Sequence, residues 1–133
     1  MTKIFSNRLH SLREANGISQ KELALSLNLT SSTLSNYENG IYLPPLIKAA
    51  QMSSILHTSL DYLCGLTDAD IDPTLLKKVL TPGMTISQII PVLANLPSED
   101  RTQLLTFCDY LHYRQRTKKY LKEPAVLKVA EDR

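Results

Sequence analysis

Small polar side chains cluster in the segment 31–36, where they could hydrogen-bond the edges of DNA bases. If this segment is helical, one face carries Ser31, Ser32, Ser35 and Asn36. A helix face without bulky apolar groups can enter the major groove and contact base edges. Asn36 can make a bidentate contact with adenine, whereas a serine hydroxyl both donates and accepts and so discriminates poorly. The alternative is that these residues are only the solvent-exposed side of an ordinary helical hairpin.

Two short helices joined by a tight turn must position this face. Ser19 and Glu22 have the Ser-x-x-Glu spacing of a capping box, which satisfies free backbone N–H groups where a helix begins. Apolar residues then recur at helical spacing on both sides of the turn at 28–30. Gly40 is the residue type expected just beyond a helix C-terminus. The pattern therefore predicts a helix-turn-helix over residues 19–38.

Four segments of the first half share the residue types and spacing of one protein family. They are Arg8-Leu9-x-x-Leu12-Arg13-Glu14, Gly17-Ile18-Ser19-Gln20-x-Glu22-Leu23-Ala24, Thr33-Leu34-Ser35-x-Tyr37-Glu38-Asn39-Gly40 and Ser59-Leu60-Asp61-Tyr62-Leu63-x-Gly65. In these segments the chain resembles the Cro/C1-type, or Xre-like, helix-turn-helix transcriptional regulators of bacteria and phages. The resemblance covers residues 5–67 and implies an all-α fold, with a five-helix, lambda-repressor-like DNA-binding domain followed by a smaller helical C-terminal region.

The resemblance also implies roles for individual residues. Gln20 would hold a phosphate at a helix N-terminus, where free N–H groups and the helix dipole favour an anion. Arg13 and Glu38 match a partly buried ion pair that ties the first helix to the end of the third, and we favour this role for Arg13 over a phosphate contact. The predicted DNA-contacting residues are Gln20, Lys21, Thr30, Ser31, Ser32, Ser35, Asn36, Asn39 and Tyr42.

The charge of the first half supports DNA binding only weakly. Residues 1–66 carry five Lys or Arg and four Asp or Glu, so this part of the chain is nearly neutral. Because phosphate contacts by cations dominate affinity for DNA, one such domain should bind weakly. We therefore expect a homodimer that engages two half-sites.

The second half is predicted to be a helical oligomerisation region over 68–120, followed by a flexible tail at 121–133. The acidic segment 68–72 reads as a hinge, and helices are expected from Pro73 to Leu80, over 86–96 and from Ser98 onward. On the last helix Leu104, Cys108 and Leu111 form a narrow apolar stripe. This stripe is the predicted contact between subunits, and the alternative is that it packs on the preceding helices of its own chain.

The sequence offers no pattern for catalysis, a cofactor or a metal site. Cys108 and His112 lie four residues apart, but a closed zinc site needs four ligands. No apolar run approaches the roughly 20 residues of a membrane span. Two cysteines make no disulfide framework, which suits a reducing cytoplasm. We expect a cytoplasmic protein that is not an enzyme.

These observations together predict a sequence-specific regulator of transcription that binds double-stranded DNA, as a dimeric repressor. An antitoxin or a restriction-modification controller of the same fold is an alternative within DNA binding. From another class of function, the chain would be a protein-interaction module whose helix-turn-helix has lost DNA binding, as the serine-rich face and low charge permit.

Overall fold

The computed structural model describes the backbone of residues 2–122 and the side chains of residues 2–119. Within this range the chain forms seven α-helices, a short 3₁₀ helix and one two-stranded antiparallel hairpin. Two compact units are distinguished, one ending at Ser87 and the other beginning at Gln88. The predicted all-α class is confirmed, apart from the small hairpin.

The first unit contains the five helices that the sequence predicts. They are α1 (Thr2–Ala15), α2 (Gln20–Ser26), α3 (Ser31–Glu38), α4 (Leu46–Ile55) and α5 (Leu60–Cys64). The side chains of Ser19, Thr30 and Ser59 each accept a hydrogen bond from a backbone N–H in the first turn of the helix that follows. Local capping therefore fixes where α2, α3 and α5 begin.

Every one of these five helices contributes a fully buried side chain to a single core. The five residues are Leu9, Leu23, Leu34, Met52 and Leu63, each 0% exposed. Burying one such side chain contributes about 1.5–3 kcal/mol. Because Leu23 of α2 and Leu34 of α3 join the same core, the packing sets the angle between the two helices of the helix-turn-helix.

The predicted helix from Pro73 to Leu80 is wrong. Residues Pro73–Lys77 form a 3₁₀ helix, and Val79–Thr81 form strand β1, which pairs antiparallel with strand β2 (Met84–Thr85). Pro82 and Gly83 make the turn between the strands, and Gly83 has a φ of +84°, which glycine adopts without strain. The hairpin also departs from the all-α fold that the resemblance implies, because the turn brings the backbones of 79–81 and 84–85 together.

The acidic segment at 68–72, expected to be a hinge, is bound to α1 and to the turn between α4 and α5. The three contacts are Asp68 with Arg8 at 2.6 Å, Asp70 with Thr58 at 2.5 Å and Asp72 with His57 at 3.2 Å. The segment is thus fastened at three points.

Two helices form most of the second half. Helix α6 (Ile86–Asn95) contains Pro91, and helix α7 (Ser98–Lys122) has acidic residues in its first turn. Of the predicted tail at 121–133, residues 121 and 122 continue α7, and the rest lie outside the described residues. Among the described helices, none is both long and apolar enough to cross a membrane.

Candidate nucleic-acid interface

A capping box sets the position of α2 at the start of the interface. The Ser19 hydroxyl accepts a hydrogen bond from the backbone N–H of Glu22 at 3.2 Å, and the Glu22 carboxylate accepts one from the backbone N–H of Ser19 at 2.7 Å. These bonds favour the charged carboxylate and lower the pKa of Glu22. Helix α2 therefore begins at a defined residue, with Gln20 in its first turn.

The turn between α2 and α3 is held by backbone geometry. Asn28 adopts a left-handed φ of 52°, and the backbone N–H of Leu29 donates to the Ala24 carbonyl at 2.8 Å. The Thr30 hydroxyl then accepts from the backbone N–H of Thr33 at 3.1 Å. Because Leu34 and Tyr37 of α3 are buried, the opposite side of α3 points to solvent.

That solvent side is the recognition face, which we define as Ser31, Ser32, Ser35 and Asn36. Ser31 and Ser32 are exposed, and Ser35 and Asn36 are half-buried. The Ser35 hydroxyl accepts a hydrogen bond from the Asn39 side-chain amide at 3.1 Å. The recognition face is therefore polar, free of large side chains and partly ordered by contacts within the chain.

Tyr42 orients the Asn36 side chain. The amide nitrogen of Asn36 donates to the Tyr42 hydroxyl at 2.6 Å. The Tyr42 ring meets the Tyr37 ring edge to face, with centroids 5.9 Å apart, so the phenol is itself held in place. The Tyr42 hydroxyl still has its own proton to donate to another acceptor.

Glu38 lies at the centre of a cluster of polar side chains from α1, α2 and α3. Its side chain is 4% exposed. Arg13 donates from Nε to one carboxylate oxygen at 2.5 Å and from a terminal nitrogen to the other at 3.1 Å. His10 Nδ1 lies 3.0 Å from that second oxygen, and Gln20 donates to it at 3.1 Å. Arg13 also donates to the Ile18 carbonyl at 2.9 Å, so the cluster joins α1, α2 and α3.

The pKa values within this cluster follow from its contacts. Burial by itself raises the pKa of Glu38, but the hydrogen bonds from Arg13, His10 and Gln20 outweigh burial and leave that pKa below its usual value. The hydrogen bond to Glu38 raises the pKa of Arg13. Both groups are therefore charged at neutral pH, as an ion pair.

Three further predicted DNA contacts lie where the two helices begin: Gln20 and Lys21 in the first turn of α2, and Thr30 at the N-cap of α3. Gln20 is half-buried and donates one amide hydrogen to Glu38. The second hydrogen of that amide can be donated to another acceptor. Lys21 is exposed, and the exposed Thr30 shares a hydrogen bond with the Thr33 hydroxyl at 2.8 Å. A polar depression of about 440 Å³ lies beside Gln20. It is lined by Asn7, His10, Arg13, Gln20, Ser35, Glu38 and Asn39.

The three residues of the predicted contact between subunits differ in how exposed they are to solvent. Leu104 and Leu111 are half-buried within their own chain, and Cys108 is exposed. The interaction of this stripe with a second subunit remains a prediction.

Sequence reasoning missed the role of Arg8. Its guanidinium donates to the carbonyls of Tyr62 and Thr67 at 2.6 and 2.7 Å, pairs with Asp68 and lies 4.1 Å above the Tyr62 ring centroid. Arg8 therefore fastens the end of α5 and the following segment to α1. In the sequence Arg8 stood only as the first residue of a segment shared with the family, and no role was assigned to it.

Sequence reasoning also missed the role of Lys48. Its ammonium group donates to the Leu27 carbonyl at 2.5 Å, at the C-terminal end of α2, where a cation complements the helix dipole.

In the part of the chain that the structure describes, no three His, Cys, Asp or Glu side chains lie together as a metal site would require.

Comparison with known proteins places this geometry in a family. A model of the helix-turn-helix family matches residues 9–63. YobD of Bacillus subtilis, described as an uncharacterized HTH-type transcriptional regulator, is 34% identical over 77 residues, which are 58% of this chain and 68% of YobD. The HTH-type transcriptional regulator ImmR of Bacillus subtilis is 38% identical over 58 residues, which are 44% of this chain and 46% of ImmR, so the chain spans about half of ImmR.

Two solved structures are also similar. The crystal structure of a transcriptional regulator from Listeria innocua has 19% identity and a TM-score of 0.46, covering 82% of this chain and 92% of that one. A complex of the SinR and SinI proteins has 20% identity and a TM-score of 0.41, covering 84% and 98%. The family model and the identity to YobD confirm the resemblance seen in the sequence. The chain belongs to the Cro/C1-type helix-turn-helix family of transcriptional regulators.

Proposed function

We propose that this protein binds double-stranded DNA at specific sequences and represses transcription as a homodimer. The observation that carries the proposal is the recognition face of α3, which offers small polar groups and one oriented amide, that of Asn36, to solvent. An asparagine can make two hydrogen bonds to adenine in the major groove. The serines accept or donate to either type of base, so shape readout and bound water add to specificity.

The contacts of the cations support the need for two subunits. Of the five Lys and Arg in residues 1–66, Arg8, Arg13 and Lys48 are bound to groups of their own chain. Lys3 and Lys21 are exposed, and the described residues give neither of them an ionic partner. Since each cation that binds a phosphate adds to affinity, one subunit gains little from this term and a dimer gains twice as much.

The second unit supports dimerisation by its lack of a core. None of the described side chains from 88 to 119 is buried. Large apolar side chains are exposed there: Ile90, Val92, Leu93, Leu105, Phe107, Tyr110 and Tyr113. Helices that bury so little apolar surface cannot offset their own conformational entropy, and a second copy would supply the missing contacts.

A dimer that binds two adjacent major grooves would exclude other proteins from that DNA, and this is the physical basis for proposing repression. An antitoxin or a restriction-modification controller would use the same interface. The identity of the regulated genes distinguishes these two from a repressor of other genes. The low charge of the first unit favours one further candidate, an interaction module that does not bind DNA.

Selection of binding sites from random duplex DNA tests the proposal. We expect the full chain to enrich one inverted repeat, with an affinity that falls steeply as salt rises. Asn36→Ala should lose the base preference at one position of each half-site. Gln51→Ala changes an exposed amide on α4, is the matched control and should keep that preference. A chain that enriches no sequence and shows no salt-dependent binding to duplex DNA would contradict DNA binding and support the interaction module.

A further inference from the structure

We propose that two copies of this chain associate through antiparallel α7 helices, along a seam beside the predicted stripe. The exposed seam is defined as Asp100, Gln103, Phe107, Tyr110, Arg114 and Lys118. The inference rests on the proposed dimerisation and specifies which surface and which direction it uses.

The spacing of the seam fits helix pairing. Its first five residues follow each other at alternating intervals of three and four, and Lys118 lies one further turn along the same face. All six are exposed, including Phe107 at 56% and Tyr110 at 55%. The two rings stack on each other with centroids 6.2 Å apart, so they form one aromatic surface. Aromatic residues of this kind are typical anchors at interfaces.

The neighbouring stripe is less available for a partner. Leu104 and Leu111 are already half-buried by their own chain, and only Cys108 of that stripe is exposed. A second copy therefore gains more buried apolar surface on the side of Phe107 and Tyr110.

Charge sets the direction of pairing. The seam is acidic at Asp100, aromatic in the middle and basic at Arg114 and Lys118. In a parallel pair Asp100 would face Asp100 and Arg114 would face Arg114, which is unfavourable for like charges. In an antiparallel pair Phe107 lies opposite the other copy's Tyr110, while acidic and amide groups lie opposite cations. The two contacts at the ends are Gln103 with Arg114 and Asp100 with Lys118 of the other copy.

This arrangement has two-fold symmetry, since every contact of one copy is repeated by the other. A two-fold dimer is the symmetry that a reader of inverted repeats requires. The exposed seam thus provides both the missing apolar contacts and the correct symmetry.

Charge exchange tests the direction of pairing in the full-length chain. Sedimentation equilibrium should show that Asp100→Lys raises the dimer Kd at least about tenfold, and that adding Lys118→Asp restores it to within about threefold. Asp109→Lys makes the same charge change at an exposed position outside the seam, and should leave the Kd within about threefold. Asp100→Lys places a cation near the N-terminus of α7 and Lys118→Asp places an anion near its C-terminus, and both oppose the helix dipole. A recovery of the Kd in the double variant therefore cannot come from a more stable helix.

Cysteine cross-linking tests the register. In a Cys64→Ala, Cys108→Ser background, Gln103→Cys and Arg114→Cys should each fail to cross-link alone under mild oxidation. An equimolar mixture of the two variants should form a disulfide-linked dimer. A parallel pair would instead link each variant to itself.

The outcomes separate this inference from the proposed dimerisation. A full chain that sediments as a monomer overturns both. A dimer that keeps its Kd in Asp100→Lys overturns the exposed seam alone, and so does a mixture in which Gln103→Cys and Arg114→Cys form no disulfide with each other. A native dimer that oxidises readily through Cys108 moves the contact to the predicted stripe instead.

Discussion

Replacing Glu38 by Gln should destabilise the first unit by about 3 kcal/mol at neutral pH, the lower end of the cost of breaking a buried ion pair. The buried carboxylate accepts two hydrogen bonds from Arg13 and one from Gln20, and it lies 3.0 Å from His10 Nδ1. An amide keeps one acceptor oxygen but turns N–H groups toward these donors, and leaves Arg13 as a poorly paired buried cation. For a domain of this size we expect Tm to fall by about 12–24 °C.

Denaturant unfolding followed by circular dichroism measures this change. A double-mutant cycle with Arg13→Met keeps the aliphatic packing of Arg13 and should give a coupling of about 2 kcal/mol. Glu14→Gln is the matched control, because Glu14 also contacts His10 but its side chain is 61% exposed. This control should change the free energy of unfolding by at most about 0.5 kcal/mol.

The cost of Glu38→Gln should also depend on pH. Because contacts in the folded state lower the pKa of Glu38, protons bind the unfolded chain more tightly than the folded one. The stabilisation is therefore complete above the unfolded pKa of about 4.3 and is lost as pH falls through the lower folded pKa. The difference between the native chain and Glu38→Gln should shrink below about pH 4. A coupling below about 0.5 kcal/mol, or a difference that does not change with pH, would refute the ion-pair reasoning.

Four changes at the interface should separate base reading from phosphate binding, each measured by equilibrium binding to the selected DNA. Asn36→Ala should cost about 1–3 kcal/mol at one base pair per half-site, and point variants of the site should reveal which pair it is. Tyr42→Phe removes the hydroxyl that orients this amide and should cost about 1 kcal/mol at the same base pair. Gln20→Ala should weaken all sequences about equally, and a change in the preferred base would reverse this assignment. Lys21→Ala should lower the slope of log affinity against log salt by about one, and an unchanged slope would remove Lys21 from the phosphate contacts.

Local signals made much of the first unit predictable. The capping box of Ser19 and Glu22 is encoded within four residues, and the structure has both of its hydrogen bonds. The core residues of α2 and α3 recur at helical spacing, so their inward faces were readable as well. Residues 79–85 misled the prediction because the apolar spacing around Val79 continues that of a helix. Pro82 and Gly83 fit a helix end as well as a hairpin turn, and only pairing between the strands decides between the two.

Contacts between distant segments of the chain were not readable in the same way. His10 and Gln20 meet at Glu38 because three helices converge there, and no spacing within one helix reveals that convergence. Likewise Arg8 reaches residues 54 to 60 positions away. The Tyr42 contact with Asn36 depends on the path of the loop after α3, which residue types alone do not determine.

The spacing of half-sites tests the central claim most directly. We expect the full chain to bind an inverted repeat whose halves lie about one helical turn apart, roughly 34–36 Å, because one α3 helix enters each major groove. Inserting about five base pairs between the halves turns them to opposite sides of the duplex and should reduce the affinity on the order of 100-fold. Equal affinity for the original and the lengthened sites would contradict a dimeric reader, and would mean that each chain binds its half-site alone.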